Sequence, residues 1–83
     1  TDVDVSALRV ALASVPGVLA VHDLHVWSLT SGTNAMSVHL AHIADAAPAS
    51  LLRDVHDRVR EFNVQHSTVQ LELPATDEKG THA

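Results

Sequence analysis

The sequence predicts an α+β domain in the order helix, hairpin, helix, strand, with an open three-stranded sheet and both helices on one face. Three observations lead there. Two segments place apolar residues at spacings of three and four. Three others are rich in Val and Leu or alternate strictly. Pro, Gly or Ser-Gly clusters separate them.

Asp4 can cap a first helix running to about Ser14, because its carboxylate can accept free amide protons of the first turn. Val5, Leu8, Leu12 and Val15 form its apolar face, and Pro16-Gly17 stops it. From Val18 to about Leu29 the pattern is that of a strand. Thr30-Ser31-Gly32-Thr33 is a tight turn, and Asn34 to Ile43 is the returning strand. Pro48 suits the first turn of a second helix, where its missing amide costs nothing. Leu51 or Leu52, Val55, Val59 and Phe62 make the buried stripe of that helix. On its wet face, Arg53–Asp57 and Asp54–Arg58 fall at i,i+4, as weak pairs or simply as solvated charge.

The last strand, His66 to Leu73, alternates. Val69, Leu71 and Leu73 point one way, and His66, Thr68, Gln70 and Glu72 the other. Residues 1–74 make up the expected domain, and 75–83 a polar, mobile tail. In the first strand, strict alternation puts Leu24 and Val26 on one face and Val21, Trp27 and Leu29 on the other. A strand apolar on both faces is usually covered on both. The helices cover one, and a second protomer is the simplest cover for the other.

Eighty-three residues give one small domain with a thin core. Hydrophobic residues make up 46% with one Trp and one Phe, so the core rests on Val, Leu and Ala. Ten acids against five bases give a net charge of −5, and the arginines interleave with acids, which argues against a nucleic-acid partner. No apolar run approaches the ~18 residues that span a bilayer. The chain begins with Thr1 rather than Met, and the expectation is a piece of something longer.

There is no cysteine, which leaves nitrogen and oxygen donors for any metal. Seven histidines stand out: His22, His25, His39, His42, His56, His66 and His82. His22 and His25, like His39 and His42, form an H-x-x-H pair, but residues i and i+3 of a regular strand point to opposite faces. A cross-strand set is better. A hairpin turning near Ser31-Gly32 pairs residues whose numbers sum to about 61–63, and an odd sum puts His22 and His39 on one face. The last strand adds Glu72 and His66. His-His-Glu suits Zn²⁺, Co²⁺, Ni²⁺ or Cd²⁺. Ordinary surface histidines remain the alternative at this point. Strict alternation puts Asp23 and His25 with Val21 and Trp27, in a hydrogen-bonded or interface role. His42 is undecided, His56 belongs to the charged helix face, and His82 to the tail. No Gly-rich phosphate loop, nucleophile elbow or His-Glu-x-x-His helix is present, so no enzyme is expected.

The run Val21-His22-Asp23-Leu24-His25-Val26-Trp27-Ser28-Leu29-Thr30-Ser31-Gly32 after Pro16-Gly17-Val18 resembles the C-terminal cytoplasmic domain of cation diffusion facilitators. Ser37-Val38-His39-Leu40 and His66-Ser67-Thr68-Val69-Gln70-Leu71-Glu72 extend the likeness, which covers Asp4 to Leu73. The wording is most similar to the bacterial cobalt–zinc–cadmium resistance branch. The resemblance implies a ferredoxin-like, metallochaperone-like α-β-β-α-β fold and homodimerisation. It also implies attachment to a transmembrane domain that exchanges zinc-type cations for protons across the cell's inner membrane. Carried over by position, it implies metal ligation by His22, His39 and Glu72, with His66 at a strand where ligand placement shifts by a residue among members. A metal-independent dimerisation module and a free-standing metal chaperone are the alternatives.

Overall fold

The computed structural model describes residues 2–74. Asp4 accepts the Ala7 amide proton at 3.0 Å and so starts α1 (Val5–Ala13). The chain turns at Pro16-Gly17, where Gly17 takes a φ of 97° that a side chain would resist. A hairpin follows, β1 (Val18–Ser28) and β2 (Asn34–His42), then α2 (Pro48–Arg60) and β3 (His66–Glu72). The element order is the predicted one. β2 is central: β1 pairs with it antiparallel and β3 parallel. The parallel pairing follows from the connection, because a helix lies between β2 and β3 and returns the chain to the same end.

One core joins the layers. Leu8 and Leu12 of α1 and Leu51, Val55 and Val59 of α2 pack with Leu24, Met36, Val38 and Leu40 of the sheet. Both helices therefore cover one sheet face, and the other face carries Ser37, His39, Gln70 and Glu72. Leu51 rather than Leu52 takes the buried position, and Val69 and Leu71 pack inward while Leu73 beyond the strand is exposed. The helix-face ion pairs differ from expectation. Asp57 meets Arg60 at 2.9 Å instead of Arg53, and Arg58 donates to the Ala11 carbonyl at 3.1 Å, tying α2 to the end of α1.

β1 departs from strict alternation. Its register with β2 runs through Val21↔Leu40 and His22↔His39, slips, and resumes at His25↔Ser37. Asp23, at a φ of 55°, is the bulge residue. The inserted residue resets the parity. Val21 packs against the core together with Leu24 and Val26, instead of joining Trp27 on the other face. His22 and His25 consequently share the open face despite their i,i+3 spacing. The outer face of β1 is thus less apolar than alternation implied, although Trp27 on it stays 45% exposed.

At the far end of the sheet a polar knot forms around buried Asn34. Its side-chain amide donates to Asp2 Oδ1 and to the Asn63 carbonyl, both at 2.9 Å. Its backbone amide donates to Gln65 Oε1 at 2.8 Å, and Ser28 Oγ donates to its Oδ1 at 3.1 Å. Asn63 Nδ2 donates to Asp2 Oδ2 at 3.0 Å. The Asn34 side-chain donor above all, then Asp2's own amide and Asn63, holds the Asp2 carboxyl below its usual 3.8 against an opposing effect of desolvation. The expected tail at 75–83, with His82, lies outside the described residues.

Three outcomes follow. Leu12→Ala, at a site with 0% exposure, should cost about 2–5 kcal/mol in urea unfolding. Leu19→Ala, at 57% exposure, should stay within about 0.5 kcal/mol. Asp2 stabilises the fold through its ionised form, so its contribution should be complete above pH 3.8 and lost as pH falls through the lowered value. The stability gap between wild type and Asp2→Ala should therefore close on acidification, read from denaturant midpoints.

Candidate metal centre

His22 and His39 face each other across the β1–β2 ladder, with ring centroids 6.2 Å apart. Directly opposed residues of paired strands share a face, and this pair lies in the regular stretch from Ala20↔Ala41 to His22↔His39, between one register slip after Val18 and a second after His22. Glu72 arrives from β3. It is in register with Ala41, two residues along from His39, and its side chain reaches diagonally back to the imidazoles. Val69 and Leu71 turn inward to the core, which leaves Gln70 and Glu72 on the open face by simple alternation.

The three side chains converge. Each offers one ligand atom, and these atoms lie within 4.8 Å of one another. His22 Nε2 is 3.2 Å from Glu72 Oε2, and His39 Nδ1 is 3.7 Å from Glu72 Oε1. A tetrahedral zinc-class ion, with bonds of about 2.0–2.2 Å, separates its donors by roughly 3.4 Å. Two imidazoles and a carboxylate at these spacings therefore fit such an ion with small side-chain rotations. The donors are partly exposed, so an ion could reach them from solvent. Held within one small site, they can take up a divalent cation.

His66 is not brought to this group. It pairs with Ala35 at the opposite end of β3, six residues and about 20 Å from Glu72 along the strand. There it lines an open cleft of about 560 Å³ with His56 and Arg60. His42 is buried and donates from Nδ1 to the Ile43 carbonyl at 2.8 Å, a satisfied structural role. His25 sits opposite Ser37, exposed on the open face but outside the group.

One neighbour of the site departs from the sequence reading. Asp23 Oδ2 lies 3.8 Å from His39 Nδ1, although strict alternation gave Asp23 a hydrogen-bonded or interface role. The signal was present in its residue type. Asp is one of the few non-glycine residues that readily adopts a positive φ, and a bulge there turns it toward the histidines.

The whole described region, with residue 1, matches the family of cation efflux protein cytoplasmic domains, over residues 1–74. A proton-coupled zinc antiporter of Mus musculus is 37% identical over 82 residues, covering 98% of this chain and 22% of the relative. A cadmium, cobalt and zinc/H(+)-K(+) antiporter of Bacillus velezensis is 30% identical over 83 residues, covering 96% of this chain and 26% of the relative. The chain thus spans about a quarter of the length of these curated relatives. The metal-bound C-terminal domain of the CzcD transporter from Cupriavidus metallidurans superposes with a TM-score of 0.81 at 33% identity, covering 86% of this chain and all of that one. Fold, element order and sequence agree, and the chain belongs to the cytoplasmic domain family of the cation efflux proteins.

Proposed function

We propose that this chain is the regulatory cytoplasmic domain of a proton-coupled efflux transporter for divalent cations of the zinc class, set in the inner membrane. In this reading it binds metal and pairs with a second copy to control the membrane part. It carries out no catalysis of its own. The observation that carries the reading is the convergence of His22, His39 and Glu72, from three strands, to within 4.8 Å.

The donor chemistry favours Zn²⁺, Co²⁺, Cd²⁺ or Ni²⁺ over Cu(I), because the chain has no thiolate. Three relatives or neighbours support the class of ion by their own descriptions, as zinc, as cadmium, cobalt and zinc, and as metal-bound. Support for pairing comes from the open sheet face, where Trp27 remains 45% exposed in a single chain. The membrane domain and a second copy of this chain are the partners in this reading. Nucleic acid is not, given the net charge of −5.

The chain's own residues can do two things at the site. The imidazoles, when neutral, donate lone pairs, and Glu72 supplies negative charge that a bound cation would offset. Binding can bias the arrangement of two copies only by its differential affinity for the alternatives. Loss of like-charge repulsion at the open face is one physical source of that difference.

Calorimetric titration with Zn²⁺ tests the reading. Wild type should bind, and His22→Ala/His39→Ala should lose about 100-fold or more, equivalent to about 2.7 kcal/mol. Binding that is unchanged in the double variant overturns the site. Affinity should also be weaker at about pH 5.5 than at about pH 7.5, since a protonated imidazole cannot coordinate. Light scattering with and without Zn²⁺ reads the regulatory part. A dimer indifferent to both metal and chelator favours a purely structural module instead.

A further inference from the structure

The geometry points to Asp23 as the fourth metal ligand, closing an N₂O₂ site within a single chain. This rests on the metal-binding reading above and adds to it a residue that neither alternation nor the three-residue cluster includes.

His22, His39 and Glu72 leave a four-coordinate ion one donor short. Asp23 Oδ2 is 3.8 Å from His39 Nδ1, and His39 Nδ1 is itself 3.7 Å from Glu72 Oε1. The same imidazole nitrogen therefore stands between two carboxylates. His22 Nε2 lies 3.2 Å from the other oxygen of that carboxylate, Glu72 Oε2, so three donor–donor contacts are near the roughly 3.4 Å that bonds of about 2.0–2.2 Å require, and a turn of the Glu72 carboxylate would let one oxygen serve both imidazoles. The Asp23 side chain is 64% exposed, so it has room to turn toward the ion and shorten the remaining edges.

Asp23 reaches this place only through its backbone. At a φ of 55° it occupies the left-handed region, where few non-glycine residues sit but Asp is enriched several-fold. In a regular strand its carboxylate would alternate to the face opposite His22. Strained backbone beside a candidate site is a reason to ask what it serves, and here it serves to bring a second carboxylate onto the His22 and His39 face. Two carboxylates balance the two charges of a divalent ion, and two imidazoles supply the nitrogen donors that zinc-class ions prefer. The site then needs no residue from a second copy, so metal binds a monomer with one ion per chain.

The test compares wild type, Asp23→Asn, Asp23→Gly and His22→Ala in the full 83-residue chain, with Zn²⁺ followed by calorimetry and Co²⁺ by its visible absorption. Asparagine keeps the tolerance for positive φ while removing the charge, and glycine relieves the φ altogether, so both should fold by thermal melts. The expected result is a loss of at least about tenfold in Zn²⁺ affinity for both Asp23 variants, a changed Co²⁺ band shape, and one ion per chain in a wild type dilute enough to be monomeric. Wild-type affinity and Co²⁺ spectrum in both Asp23 variants, with His22→Ala impaired, overturns the Asp23 assignment and leaves the metal reading intact. Absence of binding in wild type overturns both. Binding only by the dimer overturns the single-chain closure.

Discussion

The inserted residue in β1 sets the terms for everything else in the sheet. Without it, a strand that points Val21 into the core would point Asp23 and His25 there too, and would leave Leu24 and Val26 in water. Burying an unpaired carboxylate is expensive, whereas exposing two large aliphatic side chains forfeits about 1.5–3 kcal/mol each. The bulge satisfies both sets. It lets Val21, Leu24 and Val26 face α1 and α2 while the polar residues between them face away. The cost is one non-glycine residue at positive φ, Asp23, a residue type that tolerates it.

The helices and the order of elements were legible because their signals are local. Asp4, Pro16-Gly17 and Pro48 mark ends by covalent geometry and capping chemistry, and Leu8, Leu12, Val55 and Val59 mark a face by spacing. The hairpin register was bracketed by the turn, and the observed His22↔His39 pairing falls inside that bracket. What alternation could not deliver was the slip after His22. A bulge is chosen by the competition between two faces for burial, which is a tertiary matter, and no glycine stands there to announce it. The misplacement of Val21 and the role given to Asp23 both follow from that single missed residue. His66 shows another limit. Sharing a face with Glu72 is a property of parity, but meeting it is a property of distance, and six residues of extended chain keep them apart.

The helix-face charges teach a related point. Arg53, Asp54, Asp57 and Arg58 have i,i+4 spacing, yet Arg58 instead donates to the C-terminal end of α1. The Ala11 carbonyl already accepts the Ser14 amide at 3.2 Å and takes the guanidinium as a second donor, whereas an exposed carboxylate pair in water is worth little. Side-chain spacing states what can meet. The packing of one helix against the other decides among the possibilities.

The knot at Asn34 and the histidine pair lie five residues and about 17 Å apart along the same central strand, β2. Around Asn34 the ribs are stitched together: Ser28 from β1, Gln65 just before β3, and both Asp2 and Asn63. At His22, His39 and Glu72 no comparable stitching among neutral groups exists in the described residues. Backbone pairing nevertheless runs on past the histidines, through Val18↔His42 and Ala41↔Glu72, so the strands are held there as firmly as at Asn34 and only the side chains differ. One end of the sheet thus spends its polar side chains on one another, and the other keeps them available to whatever meets the outer face.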